Sequence, residues 1–316
     1  MSSLSNAVDY LLVDPYRKGS PGLFTLRVSQ IMHERTGGVS DLSLRRVLKV
    51  LKPQVALPKS SLMDDAAIGN SGNKLNERGW DIMPWRLGAD DIASLRKFAF
   101  STPAYATSPT ERIMIDENNI PHDHGRYLWR MSDLIRQPVV QRLLTDGAMY
   151  QVAQNYLGCR PILCALGLWL DPVYKGYYGA HVYHYDNDGP AFLKFFIYLN
   201  DVDVETGAHT YIQGSHGRHK PEQFRLSKRY DRDDLLAHYG KESEMVFSAP
   251  AGTVLAEDTA GFHKGTTLKR GYRMLMEFQF AMLDIPHVEE FEDRIDPVHV
   301  EPIDAGIKKV ARKFFA

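Results

Sequence analysis

Seven short runs between residues 162 and 283 decide the reading of the fold: ILCALGLWL (162–170), AHVYHYD (180–186), AFLKFFIYLNDV (191–202), HTYIQG (209–214), MVFSAP (245–250), TVLAED (253–258) and RMLMEFQFAML (273–283). Each is rich in β-branched and aromatic residues, the side chains that fit a pleated, half-buried surface. Turn signals fall between them at Asn187–Pro190, Glu205–Gly207 and Gly214–Gly217. Short strands spaced in this way predict a sandwich or barrel of antiparallel strands. The charged stretch 218–243 reads as an insertion between two of them.

Upstream the pattern is helical. Phe24, Val28 and Ile31 suggest one helix face, and Leu44, Val47, Leu48 and Leu51 another, with Asp41 as a cap and Pro53 as a limit. Residues 57–78 are rich in Ser, Asn, Asp and Gly and read as a loop or linker. The chain therefore divides, on sequence, into a helical extension with linker over 1–75 and a main domain over 76–316. ADDIASLRKF (89–98) has helical spacing with acidic residues in its first turn. A longer helical pattern over 132–157 is expected to break at Pro138 and near Gly147. Helices precede strands, so the expected class is mainly β with flanking helices packed on one face.

Bulk numbers exclude several functions. Lys plus Arg is 38 and Asp plus Glu is 39, a formal charge of −1. That balance gives no electrostatic reason to expect nucleic acid or an anionic membrane as partner. Cys159 and Cys164, the two cysteines, can build neither a disulfide framework nor a four-cysteine zinc site, and read as buried thiols. The first residues lack a basic segment followed by a long apolar run, and no stretch matches a spanning helix. The expectation is a cytoplasmic enzyme acting on a small-molecule substrate.

The sharpest chemical signal is His184-Tyr185-Asp186. Ligands two residues apart on a strand share a face, so an imidazole and a carboxylate can hold one ion. About one such pair is expected by chance in a chain of this composition. His287-Val288-Glu289 and His299-Val300-Glu301 have the same spacing, but no third ligand and arginine follow them. His181 falls on the other side of the strand. Asp188 shares the parity of Asp186 but sits in a turn. The third ligand is expected to be His263, in GFHKGTTLKRGYRMLMEFQF (261–280), with Arg273 ten residues later. Two histidines and one carboxylate leave three positions open on iron, two for a bidentate 2-oxo acid and one for dioxygen. Arg273 offers a planar fork for the far carboxylate of such a cosubstrate.

With these residues in view, the chain resembles the phytanoyl-CoA dioxygenase-like family of iron- and 2-oxoglutarate-dependent oxygenases. GWDIMPWRLGADDIASLRKF (79–98) is similar to the family's opening strand and helix. HYD (184–186) is similar to its first two ligands, and APAGTVLAEDTAGFHKG (249–265) to the strand delivering the distal histidine. YLNDVDVETGAHTYIQGSH (198–216) resembles its turn before a Pro-Gly-Ser-His segment, with Gln213 where proline is usual. The resemblance spans about Gly79 to Met282. It implies a double-stranded β-helix, the cupin-like jelly roll. It also implies Fe(II), 2-oxoglutarate and O2 as cofactors, and hydroxylation of a C–H bond with release of succinate and CO2. Asp186 stands where halogenase relatives carry a small residue, which disfavours halogenation. The family's name does not imply a CoA thioester substrate.

Secondary candidates are Thr266 and Thr267, as hydroxyl donors to the cosubstrate, and Lys194, a polar interruption of an apolar strand. Lys269 and Arg270 are substitute anchors should Arg273 fail. Tyr183, Tyr185 and Trp169 are candidates to line a substrate mouth, ordinary packing being the alternative for each. Residues 1–75 and 218–243 are candidates for a lid or for homodimer contacts. Two rival readings stand beside the oxygenase: a cupin-type metalloenzyme without 2-oxoglutarate, and a non-catalytic jelly-roll binding module.

Overall fold

The computed structural model describes residues 21–106, 112–226, 228–285, 298–300 and 302–315. His287, Glu289 and Glu301 lie outside the described residues.

Helices α1 (Pro21–Thr36) and α2 (Val39–Leu51) form a pair. Their faces differ from the expected ones. Val28 and Ile31 are 41% and 51% exposed, and Val47 is 51% exposed, while Leu26, Ser29, His33 and Leu48 are buried. The reason is polar. Asp41 does not cap α2; it sits buried in the first turn, with its carboxylate 2.7 Å from His33 Nδ1, and this pair occupies the inward face. The side chain of Phe24 lies outside the description.

The expected linker also contains a helix, α3 (Asp65–Arg78). Its N-cap, Asp64, accepts a hydrogen bond from the Ala67 N–H at 2.7 Å, and Ile68 and Leu75 are buried. At its C-terminus Gly79 takes φ +88°, and a Cβ there would meet the Tyr211 hydroxyl at 2.3 Å, so the turn into β1 (Trp80–Arg86) needs glycine. Then come α4 (Ala89–Ser101), β2 (Ala104–Tyr105), β3 (Arg112–Ile113) and β4 (Tyr127–Leu128). Next are α5 (Met131–Leu134), α6 (Pro138–Thr145) and α7 (Gly147–Leu157), interrupted where Pro138 and Gly147 mark the breaks.

The strand-rich half contains β5 (Ile162–Pro172), β6 (Phe192–Tyr198), β7 (His209–Ile212), α8 (Arg232–Tyr239), β8 (Glu244–Phe247), β9 (Thr253–Glu257), β10 (His263–Gly265) and β11 (Tyr272–Ala281), followed by a short helix α9 (Ala305–Val310). AHVYHYD is not a continuous strand. Gly179–His181 forms a 3-10 turn, after which Tyr183 and His184 make single antiparallel bridges to Tyr230 and His263.

The large antiparallel sheet runs β1-β9-β6-β11-β5-β4-β2-β3 and the small one β10-β7-β8. From β5 onward the chain crosses repeatedly between them, staying in the small sheet only from β7 to β8. β5, β6, β9 and β11 join the large sheet; the His184 bridge, β7, β8 and β10 join the small one. This interleaving is a double-stranded β-helix, open rather than a closed barrel. The segment 218–243, with α8, connects the paired strands β7 and β8.

The alternation along β11 shows how the sheet serves two masters. Met274, Met276, Phe278 and Phe280, all fully buried, join the apolar core shared with α3 and α4–α7, where Phe280 meets the edge of Tyr150 at 5.2 Å. Each such side chain contributes about 1.5–3 kcal/mol by burial. The other face of β11 carries Arg273, Leu275, Glu277 and Gln279 and looks into the space between the sheets. Leu275 closes one end of that space with Trp80, Phe196, Tyr198, Tyr211 and Phe247. Among the described residues no helix is long and apolar enough to cross a membrane.

Candidate metal centre

His184, Asp186 and His263 converge between the sheets. One potential ligand atom from each lies within 4.8 Å of the others, and no other such group occurs among the described residues. The bridge makes this possible. The His184 N–H donates to the His263 carbonyl at 3.1 Å, the His263 N–H returns to the His184 carbonyl at 2.8 Å, and the Asp186 N–H donates to the Thr259 carbonyl at 2.8 Å. Residues 184–186 are thus extended locally, and His184 and Asp186 share a face although no long strand forms.

The imidazoles are oriented for coordination. His184 Nδ1 lies 2.9 Å from the Val182 carbonyl and His263 Nδ1 2.9 Å from the Gly261 carbonyl. A carbonyl only accepts, so each Nδ1 carries the proton and each Nε2 offers its lone pair. Burial, partly offset at His184 and His263 by Asp186, lowers both from the usual histidine range, His263 strongly, which keeps the rings neutral. The Asp186 oxygens lie 3.8 Å from His184 Nε2 and 3.7 Å from His263 Nε2. Burial opposes the Asp186 charge, but the adjacent Lys194 ammonium outweighs it and holds the carboxyl well below its usual range. A neutral–anionic–neutral donor set on one side fits a divalent metal with open positions opposite.

Lys194 donates to Asp186 Oδ2 at 2.8 Å and lies 3.3 Å from Asp188. Its expected partner was the cosubstrate; its partner here is the ligand carboxylate. Asp188 itself bonds Gln279 Nε2 at 2.9 Å and stays outside the ligand group.

Arg273 lines the same cavity, of about 160 Å³, as the three ligands. It is 2% exposed. Its Nη1 donates to the Gly207 carbonyl at 2.5 Å and its Nη2 bonds Asp171, its register partner on β5. Gly265 lets it pass, since a Cβ there would stand 2.6 Å from Nη2. Nε is buried without a partner. Of five N–H groups the protein uses two in these bonds, which leaves donors for a carboxylate.

Several expectations are displaced. Tyr183 and Tyr185 do not line the cavity: they point the other way, into a cluster with Phe224, Tyr230 and Phe262, and their hydroxyls donate to Glu244 and to the Arg225 carbonyl, both at 2.6 Å. The period of two that gathers His184 and Asp186 turns both neighbours outward. Thr266 Oγ1 is 3.0 Å from Thr210 Oγ1, and Thr267 is exposed; neither lines the cavity. Arg270 is exposed and pairs with Asp203 and Glu205, and Lys269 is also exposed. Trp169 does line the cavity.

Five residues here were not singled out in the sequence. Arg126 donates to Asp171 at 2.6 and 3.1 Å, so Asp171 gathers two guanidiniums. Burial opposes its charge, but Arg126 and Arg273 together lower it to about 2. His209 stacks on His263, with centroids 5.5 Å apart, and its Nε2 is 2.8 Å from Glu257. Burial pushes His209 well down and Glu257 well up, so both are uncharged; despite the distance, neither atom makes a well-directed hydrogen bond. Asp171 could have been read from ILCALGLWLDP, where it is the one charge in an apolar strand, and Glu277 from its parity with Arg273. Arg126 and His209 carry no such signal.

No known family profile matches the chain, and no curated protein matches it. Among solved structures it is similar to the non-heme α-ketoglutarate-dependent epimerase SnoN from nogalamycin biosynthesis, at 17% identity and TM-score 0.49, covering 76% of this chain and 94% of that one. It is likewise similar to EctD from S. alaskensis, at 17% identity and TM-score 0.49, covering 84% and 91%. A third is HygX from Streptomyces hygroscopicus, determined with nickel, 2-oxoglutarate and hygromycin B bound, at 17% identity and TM-score 0.45, covering 67% and 86%.

Proposed function

We propose that this chain is an Fe(II)- and 2-oxoglutarate-dependent dioxygenase that hydroxylates a small molecule at an unactivated C–H bond. The observation carrying the reading is the meeting of His184, Asp186 and His263 in one cavity that Arg273 also lines. The three side chains would hold iron(II). Buried donors without partners in and around this cavity, Arg273 Nε and Trp169 Nε1 among them, suit an acceptor-rich ligand such as a dicarboxylate. When bound, iron, 2-oxoglutarate and dioxygen supply the oxidising power, yielding succinate, CO2 and an oxygenated product. The protein's own part is to bind, orient and exclude water. Asp171 fixes the Arg273 guanidinium, which would hold the distal carboxylate, the carbonyls of Val182 and Gly261 keep both imidazoles in the ligating tautomer, and Lys194 holds one oxygen of Asp186.

A metalloenzyme that uses no 2-oxo acid draws on two facts: a fourth histidine is present, and Asp171 already engages Arg273. However, His209 directs Nε2 to Glu257 and does not join the converging ligand atoms. Protein loaded anaerobically with Fe(II), then given 2-oxoglutarate and oxygen, separates the readings. Succinate is expected to form in step with oxygen uptake; oxygen uptake without succinate would overturn the proposal in favour of this alternative.

A further inference from the structure

A second cavity, of about 270 Å³, adjoins the metal cavity, and Arg126, Trp169, Lys194 and Glu277 line both. Leu128, Trp129, Met131 and Leu166 give it an apolar side. Its charged groups are unequal. Arg126 is committed to Asp171 through two hydrogen bonds and lies over the Trp169 ring at 4.4 Å. Lys194 is committed to Asp186 and Asp188, and Glu277 lies 4.0 Å from Lys194. Arg130 differs. It is half-buried, its Nε bonds the Tyr105 hydroxyl, and it makes no ion pair among the described residues. A partly desolvated guanidinium with only a phenol for company lacks the anion its geometry suits. The buried indole N–H of Trp169, a donor without a partner, stands at the boundary between the cavities.

We propose that this cavity binds the prime substrate and that the substrate is a small anion with an apolar body, its carboxylate or phosphate held by Arg130. The assignment rests on the metal-centre reading, because it is the shared wall that brings this molecule beside the reacting cavity. Arg126 and Lys194 are compensated by their carboxylates and Glu277 lies beside Lys194, so Arg130 is the cavity's guanidinium without a carboxylate partner among the described residues, and a neutral or cationic molecule would supply it none. The apolar body packs on the Leu128, Met131 and Leu166 side.

The test is direct binding by titration calorimetry to the full chain loaded with Ni(II) and 2-oxoglutarate. The probes are 3-phenylpropanoate, 2-phenylethyl phosphate and neutral 3-phenylpropanamide. At least one anion is expected to bind roughly tenfold or more tighter than the amide, as a charge-assisted contact implies; which one does so distinguishes a carboxylate from a phosphate substrate. Arg130→Gln, which can still bond Tyr105, is expected to abolish that preference while leaving amide binding unchanged, so the amide reports that the pocket remains folded. Equal affinity for anions and amide, no binding by either anion, or a preference that survives Arg130→Gln would overturn the proposal. The 2-oxoglutarate titration done first, without probe, reports separately on the oxygenase reading. Its failure alongside an Arg130-dependent anion preference would remove that reading and leave the anion site standing.

Discussion

At the scale of single residues, the site was legible where the chemistry restricts residue type. Metal ligation needs imidazole and carboxylate, and a dicarboxylate anchor needs a guanidinium, so His184, Asp186, His263 and Arg273 stood out once their order, spacing and strand context were read together, each being weak alone. What hid were the partners that tertiary register supplies. Asp171 is the one charge in an apolar strand, but that it faces Arg273 follows only from the pairing of β5 and β11. Lys194 was legible as a buried anomaly, but its bond to Asp186 was not. Tyr183 and Tyr185 were misplaced because clustering along the chain says nothing of direction. The prediction at this scale concerns the anchor. Arg273→Ala is expected to raise the 2-oxoglutarate concentration for half-maximal succinate formation about tenfold or more, with Fe(II) affinity measured in parallel essentially unchanged. An unchanged requirement would take the anchor away from Arg273.

At the scale of elements, strong periodicity was readable and weak periodicity was not. The strands from β5 to β11 carry enough apolar and β-branched residues between turns to declare themselves. The helix α3 does not, because DAAIGNSGNKLNER is mostly polar or small. Its stability comes from its cap and from two buried apolar side chains, Ile68 and Leu75, which tertiary packing rewards and propensity does not. In denaturant unfolding, Asp64→Ala is therefore expected to cost about 1 kcal/mol through the lost cap, and Leu75→Ala about 2–5 kcal/mol through the cavity it leaves. Two neutral results would mean that the segment is the linker its composition suggests. The α1–α2 pair shows the opposite error. Its apolar residues seemed to define inward faces, but a buried His33–Asp41 pair took that position and left Val28, Ile31 and Val47 outside.

At the scale of the whole molecule, the order of helices then strands gave the layer arrangement, and the jelly-roll topology came from the resemblance rather than from periodicity. Asp171 ties the architecture together by bonding Arg126, ahead of β4, and Arg273 on β11. Its pKa is lowered from 3.8 to about 2. A carboxyl depressed in the fold contributes stability above its unfolded pKa, and that contribution is lost as pH falls through the folded value. The expected loss is about 2 kcal/mol as pH drops from about 4 to about 2. Comparing acid unfolding of wild type and Asp171→Asn checks this, since the variant should lose that part of the slope; identical slopes would deny the coupling. The proposed function, however, depends on the two sheets bringing His184, Asp186 and His263 from distant segments to one place. The most direct measurement is anaerobic Fe(II) titration of the wild-type chain and of four variants, His184→Ala, Asp186→Ala, His263→Ala and His209→Ala. One equivalent is expected to bind to wild type and to His209→Ala, with binding lost in the other three; full affinity in His263→Ala would contradict the account.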